Sequence, residues 1–229
     1  MTKVNKETLD RWFDYNVDVE SRTIYMGDES GTDSFMAEYF IKGMHMLESK
    51  SVDEIIIIMN NPGGDWYHGM AIYDAVKMSK CHCTIKVYGY AMSMGSIILQ
   101  AADKRVMMPH SRFMIHFGSS TFDNHMKIVE RGVEEEKRIN YEMENIYLDV
   151  MMEKEEGHLT KILGEVMTKQ RAFEYPQPTK STTYTFSKKV EVKREQVRVI
   201  LKEMLNFDTY LTAEETVALG FADEIYTNK

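Results

Sequence analysis

The sequence predicts an α/β fold in which parallel strands alternate with helices as βαβ units, and three observations carry that expectation. Glu54-Ile55-Ile56-Ile57-Ile58-Met59 is a continuous β-branched apolar run, as expected of a strand buried on both faces of a parallel sheet. Asn60-Asn61-Pro62-Gly63-Gly64 breaks it, and Gly69 to Met78 resumes as a helix. Cys83, Ile85 and Val87 then alternate with His82, Thr84 and Lys86 in a strand over 83–88, which turns at Ser93 into a helix over 95–103. Right-handed crossovers join such units, and active sites collect at the carboxyl ends of the strands. Both Gly63-Gly64 and Ser93 fall there.

The remaining elements follow in order. Arg22-Thr23-Ile24-Tyr25-Met26 is a strand stopped by Gly27. A helix from about Asp33 to Glu48 takes Thr32 or Asp33 as its N-cap and buries a stripe through Met36, Phe40, Met44 and Leu47. Arg112 to His116 is a strand. From about Phe122 to Lys154, Val129, Val133, Ile139, Met143, Ile146 and Val150 recur near helical spacing. A helix of that length exceeds the usual globular range, so it is expected to project and pack against another subunit. Gly157 ends it, and 159–169 reads as a short helix. Residues 171–193, with Pro176 and Pro178, read as an exposed hairpin or loop. The stretch 171–194 carries six basic against two acidic residues, and a solvated excursion is preferred to a contact with an acidic partner. A helix spans 194–205. Thr212-Ala213-Glu214-Glu215 is a capping box for a last helix closed by Gly220.

The chain has 229 residues, 43% of them hydrophobic, with only four prolines, which fits one sizeable globular domain with an appendage. A net charge of −8 excludes a broad basic footprint for nucleic acid. Cys81 and Cys83 flank His82, but no second ligand cluster follows, so they read as buried strand cysteines rather than a metal site. Met1 to Glu7 has no apolar signal region, and no run approaches the roughly 18 apolar residues of a membrane span. The expectation is a cytoplasmic protein in a reducing compartment.

Chemistry is signalled first by Ser93, at a strand-to-helix bend. Free N–H groups at a helix start favour negative charge, which suits an acyl-transfer nucleophile and its oxyanion. Taken alone, a serine at such a position is more often an ordinary N-cap. His116 ends a strand that would lie beside the one leading to Ser93, either as a general base or as a structural histidine. His45, His68, His82, His110, His125 and His158 occupy helix faces, loops or a strand exterior.

Four segments in order resemble the proteolytic subunit of the Clp protease, the ClpP family. They are Asn60-Asn61-Pro62-Gly63-Gly64, Gly69-Met70-Ala71-Ile72-Tyr73-Asp74, Gly89-Tyr90-Ala91-Met92-Ser93-Met94-Gly95, and Pro109-His110-Ser111-Arg112-Phe113-Met114-Ile115-His116. The resemblance covers about 20–155 and 195–227. It implies a ClpP/crotonase-like βαβ superhelical core over 21–121 and 195–229, a short N-terminal segment 1–20, and a handle over 122–194 with a long helix and an enlarged insertion at about 155–193. Ser93 matches the nucleophile and His116 the general base. Asp208 matches the triad aspartate, and the backbone N–H groups of Gly64 and Met94 match the oxyanion hole. Asp208 follows from the resemblance alone, since an aspartate before a helix is usually a cap.

The resemblance also implies a homo-oligomeric ring, heptameric and single or double, that cleaves polypeptides. No metal or cofactor is implied, ATP entering only through a Clp-type ATPase partner. The chain departs from the family in three places. The histidine-to-aspartate interval is 92 residues, Phe117-Gly118-Ser119-Ser120 replaces the usual Gln-Pro-Leu-Gly-Gly, and 1–20 does not resemble the axial-pore loops. These divergences are similar to those of ClpP-like proteases encoded by bacteriophages. The function expected is a serine endopeptidase. A non-catalytic ring component or assembly scaffold, and a crotonase-like enzyme acting on acyl thioesters through carboxylates, are the alternatives.

Overall fold

The computed structural model describes residues 15–27, 30–153, 162–166 and 194–227. In chain order the elements are β1 (Val17–Asp18), β2 (Thr23–Gly27), α1 (Ser34–Glu48), β3 (Ile55–Asn61), α2 (Trp66–Lys77), β4 (Cys83–Met92) and α3 (Met94–Leu99). Then come β5 (Lys104–Met107), β6 (Arg112–Ile115), α4 (Met126–Met151), α5 (Arg194–Leu205), β7 (Thr209–Thr212), α6 (Ala213–Leu219) and β8 (Glu224–Ile225). They fall into two compact units. The first takes in the described parts of Met1–Met114, Leu211–Val217 and Ala222–Lys229, the second those of Ile115–Tyr210 and Ala218–Phe221.

The first unit is built on a sheet in the order β1-β2-β3-β4-β5-β8, parallel except for the β1–β2 pair. The expected α/β architecture is therefore present, with β3 and β4 at its centre. β3 is not buried equally on both faces. Ile55, Ile57, Met59 and Asn61 are fully buried, while Ile56, Ile58 and Asn60 are only half-covered. The strand also runs on through Asn61 rather than stopping at Met59, because a buried carboxamide there finds main-chain and hydroxyl partners.

α1 starts where the sequence places it, with the Asp33 carboxylate accepting from Met36 N–H at 2.9 Å. It buries Ala37, Phe40, Gly43, Met44 and Leu47. α2 begins three residues before the expected Gly69, because Asp65 serves as its N-cap and accepts from His68 N–H at 2.9 Å.

β4 switches partners part-way. Thr84 to Val87 pair with Lys104 to Met107 of β5, whereas Tyr90 to Met92 pair with Arg112 to Met114 of β6. An irregularity makes the switch possible: Met59 opposes Val87, but Asn61 opposes Ala91. Gly89, at φ +79°, sits inside it, and any side chain there would run into the Asn60 carboxamide. The helix expected over 95–103 is only Met94–Leu99, since Lys104 to Met107 are drawn into the sheet as β5, which the sequence reading did not assign.

In the second unit the long helix is shorter than expected, α4 running over 26 residues rather than 33. Of the expected stripe only Met143 is fully buried; the covered side chains are Met143, Glu144, Tyr147, Leu148 and Met151, all in the C-terminal half. That half packs on α5, which buries Val197, Arg198, Leu201, Met204 and Leu205. Phe221 stands edge-on to Tyr147, with centroids 5.5 Å apart. Arg198 lies between the helices, 3.0 Å from Glu144, 2.9 Å from the Asn145 side-chain oxygen, and over the Tyr141 ring. Burial works against its charge, but Glu144 and Glu195 outweigh it and hold the guanidinium protonated. Of the expected insertion at 155–193, only 162–166 is described, as helix. The hairpin expected over 171–193 lies outside the described residues, as does His158.

The capping box forms as the sequence implies. Glu215 N–H donates to the Thr212 hydroxyl at 3.2 Å, and Thr212 N–H donates to the Glu215 carboxylate at 3.0 Å. Thr212→Ala is expected to destabilise the protein by about 1 kcal/mol, read as a lowered denaturant midpoint at unchanged slope. Cys81 and Cys83 are buried free thiols. Burial pushes the Cys83 thiol up to about 11, so it stays protonated at neutral pH. Among the described residues, no helix is long and apolar enough to cross a membrane.

Candidate active site

The first unit brings three of the expected site residues together: Ser93, Met94 and Gly64, the last in the Gly63-Gly64 turn. Ser93 follows β4 directly and precedes α3. Its N–H donates to Met114 O at 2.9 Å, extending the β4–β6 ladder by one bond, so the bend is fixed on its amide side. Its backbone lies at φ +49°, ψ −123°, a conformation that costs a residue with a side chain roughly 1–3 kcal/mol. The side chain makes no capping hydrogen bond to α3, so the ordinary N-cap alternative does not describe it. Ser93 is therefore held in a strained strand-to-helix turn without capping the helix that follows.

The glycine turn lies against that bend. Gly63 has φ +106° and Gly64 φ +144°. A Cβ on Gly63 would stand 2.5 Å from Ser93 Cβ and 3.0 Å from Met94 N, so only glycine lets the turn come this near. The bonds that fix the turn are made on either side of Gly64. Thr32 N–H donates to Gly63 O at 2.6 Å, and Asp65 N–H donates to Thr32 O at 2.8 Å. Asn61, fully buried, accepts from Gly63 N–H at 2.7 Å through Oδ1, and its amide meets the Thr32 hydroxyl at 3.1 Å. Sequence reading missed Asn61. A carboxamide two residues before a Gly-Gly pair is the signal that could have found it, through the Asx turn it makes.

The second unit brings together His116 and Asp208. His116 Nδ1 stands 2.9 Å from Asp208 Oδ1, although 92 residues separate them. The His116 side chain is 26% exposed and that of Asp208 59%. Two bonds set the pair. Phe117 N–H donates to Leu205 O at 2.7 Å, tying the residue after His116 to the end of α5. The buried Thr209 hydroxyl donates to Met204 O at 2.6 Å, tying the residue after Asp208 to the same turn. In the tautomer whose Nδ1–H donates to the carboxylate, Nε2 carries the acceptor lone pair. Among the described residues, no group of three or more His, Cys, Asp or Glu side chains is placed to hold a metal.

A sequence profile of the family described as Clp protease matches residues 6–175, about three quarters of the chain. The chain belongs to the Clp protease family. It is 35% identical over 132 residues to the ATP-dependent Clp protease proteolytic subunit of Deinococcus radiodurans. That alignment takes in 56% of this chain and 64% of the relative, so the chain spans somewhat less than two thirds of that protein's length. The family resemblance drawn from the four sequence segments is thus borne out. Gly64, Ser93, Met94 and His116 lie inside the part matched by the Clp protease profile. Asp208 lies beyond it, and its place beside His116 rests on the 2.9 Å geometry.

Proposed function

We propose that the chain is a serine endopeptidase in which Ser93 is the nucleophile, His116 the general base and Asp208 the group that orients it. The observation that carries the reading is Ser93 itself, strained at a strand-to-helix bend with Gly63 against its Cβ and the Met94 N–H next in the chain. Family membership and the His116–Asp208 pair support it. His116 Nε2 takes the proton from Ser93 Oγ as that oxygen bonds to the peptide carbonyl carbon. The resulting oxyanion is held by the N–H groups of Gly64 and Met94, worth on the order of 3 kcal/mol per donor. The proton then passes to the amide nitrogen as the C–N bond breaks, leaving an ester on Ser93. Water, deprotonated by His116, attacks that ester and releases the acid. Asp208 keeps the proton on Nδ1 and stabilises the imidazolium.

The reading extends to a homo-oligomeric ring that admits polypeptides, fed by a Clp-type ATPase. The name of the Deinococcus relative, an ATP-dependent proteolytic subunit, supports that extension. The enlarged handle at 155–193 is part of the same proposal. A fluorophosphonate probe tests the chemistry: it is expected to label Ser93, mapped by peptide mass, in a species of ring size on a sizing column. A folded, ring-sized protein that takes no label would instead be a scaffold.

A further inference from the structure

Behind Ser93, a chain of buried polar side chains runs from Ser96 and Gln100 to Arg105 on β5, which pairs with the more exposed Asp223 just before β8. The Ser96 hydroxyl donates to Ser93 O at 2.5 Å. Gln100 Nε2 donates to Ser96 O at 2.9 Å, and Gln100 Oε1 accepts from Arg105 Nη1 at 2.9 Å. Arg105 Nη2 and Nε reach Asp223 Oδ1 and Oδ2 at 2.5 and 3.2 Å, and Asp223 Oδ2 also accepts the Arg105 main-chain N–H at 2.7 Å. Ser96, Gln100 and Arg105 are 0, 3 and 7% exposed. They sit among Ile97, Ile98 and Leu99, where apolar side chains would pack without needing partners.

α3 has six residues and closes few bonds of its own. At its end the Gln100 N–H turns to Ile97 O, and Ser96 O accepts the side-chain amide of Gln100. The carbonyl of Ser93 therefore accepts both the Ser96 N–H, at 3.0 Å, and the Ser96 hydroxyl, and Gln100 and Arg105 brace Ser96 from behind, just as the Ser93 N–H is held by Met114 O. Backbone strain of the kind seen at Ser93 persists only where the surroundings over-determine it. We infer that Gln100, with Ser96 and Arg105, is a positioning device that fixes the Ser93 bend and the Met94 N–H. None of the three touches substrate, and the inference rests on the nucleophile assignment above.

Gln100→Met keeps the length of the side chain and removes both of its hydrogen bonds; Ser96→Ala removes the hydroxyl's bond to Ser93 O and keeps the Ser96 N–H bond to it. Both are made in the full chain, so that the second decides if the first does not fold. The saturating rate of fluorophosphonate labelling is expected to fall about tenfold in each, with the half-saturating concentration unchanged. Hydrogen exchange in the peptide spanning 90–99 is expected to rise about tenfold. Labelling of the unmodified chain with unchanged saturating rates in both variants overturns the positioning role, whatever happens to thermal stability. Unlabelled parent protein overturns the peptidase reading instead, and then unchanged exchange in 90–99 overturns the anchoring independently.

Discussion

Ser93→Ala is expected to lower peptide hydrolysis by about 10⁵-fold or more, to the level left by binding and the oxyanion donors. Its folding stability should stay within about 1 kcal/mol of the parent, because alanine suffers the same φ +49° as serine. Ser93→Gly separates the two consequences of that backbone. It also removes the hydroxyl, so hydrolysis falls equally. Yet it relieves strain of roughly 1–3 kcal/mol, against roughly 0.5–1 kcal/mol lost to the freer unfolded chain. The net expectation is a gain of about 1 kcal/mol, read from the denaturant midpoint. A glycine variant less stable than the alanine variant would show that the bend is not strained, and would remove the main observation that singles out Ser93.

How much of this was legible depended on how local each cause is. The centre of the sheet was readable because the isoleucine run of β3 and the alternation in β4 are local patterns of hydrophobicity. α1 and α6 were readable because Asp33, Thr212 and Glu215 bond to main-chain groups within three residues. β5 was not, since Lys104-Arg105-Val106-Met107 becomes a strand by pairing with Thr84 to Val87, twenty residues away, and with Glu224 and Ile225, farther still. The same pairing truncates α3, which helix propensity alone would carry to residue 103. α4 was drawn too long because periodic apolar residues mark a face and not its burial: Val133 has the spacing and is exposed.

The site divides along the same line. Ser93 was singled out by its strand-to-helix context, and Gly64 and Met94 by the resemblance alone. The positive φ at Ser93 left no trace, serine being equally common in unstrained bends. Asp208 was legible only by resemblance, since its partner is 92 residues distant. The Ser96–Gln100 spacing did offer a clue that went unread. Two polar residues four apart, flanking Ile97-Ile98-Leu99, place hydrogen-bonding groups where the segment is otherwise apolar, and buried polar groups need partners.

Gly63→Ala is expected to be among the most damaging alanine substitutions at the described glycines. At φ +106° an alanine is strained by roughly 1–3 kcal/mol before any contact is considered. Its Cβ would then stand 2.5 Å from Ser93 Cβ, 2.9 Å from Met92 O and 3.0 Å from Met94 N. All three belong to the backbone or the first side-chain carbon of the nucleophile segment, so no rotamer change relieves them. With overpacking of about 1–3 kcal/mol added, the loss reaches about 2–6 kcal/mol, a large part of the 5–15 kcal/mol that holds a typical domain. Activity in the folded fraction should fall by a further factor of about 10² or more, since moving Ser93 by about 1 Å misplaces it against its oxyanion donors. Gly118→Ala is the control: it lies two residues beyond His116, and a Cβ there meets nothing within 4 Å. That variant should stay within about 0.5 kcal/mol of the parent. The comparison is made by denaturant titration and by labelling rate per folded molecule. Equal behaviour of the two alanines would mean that Gly63 does not press on the nucleophile, because strain and contact distinguish the two positions by several kcal/mol.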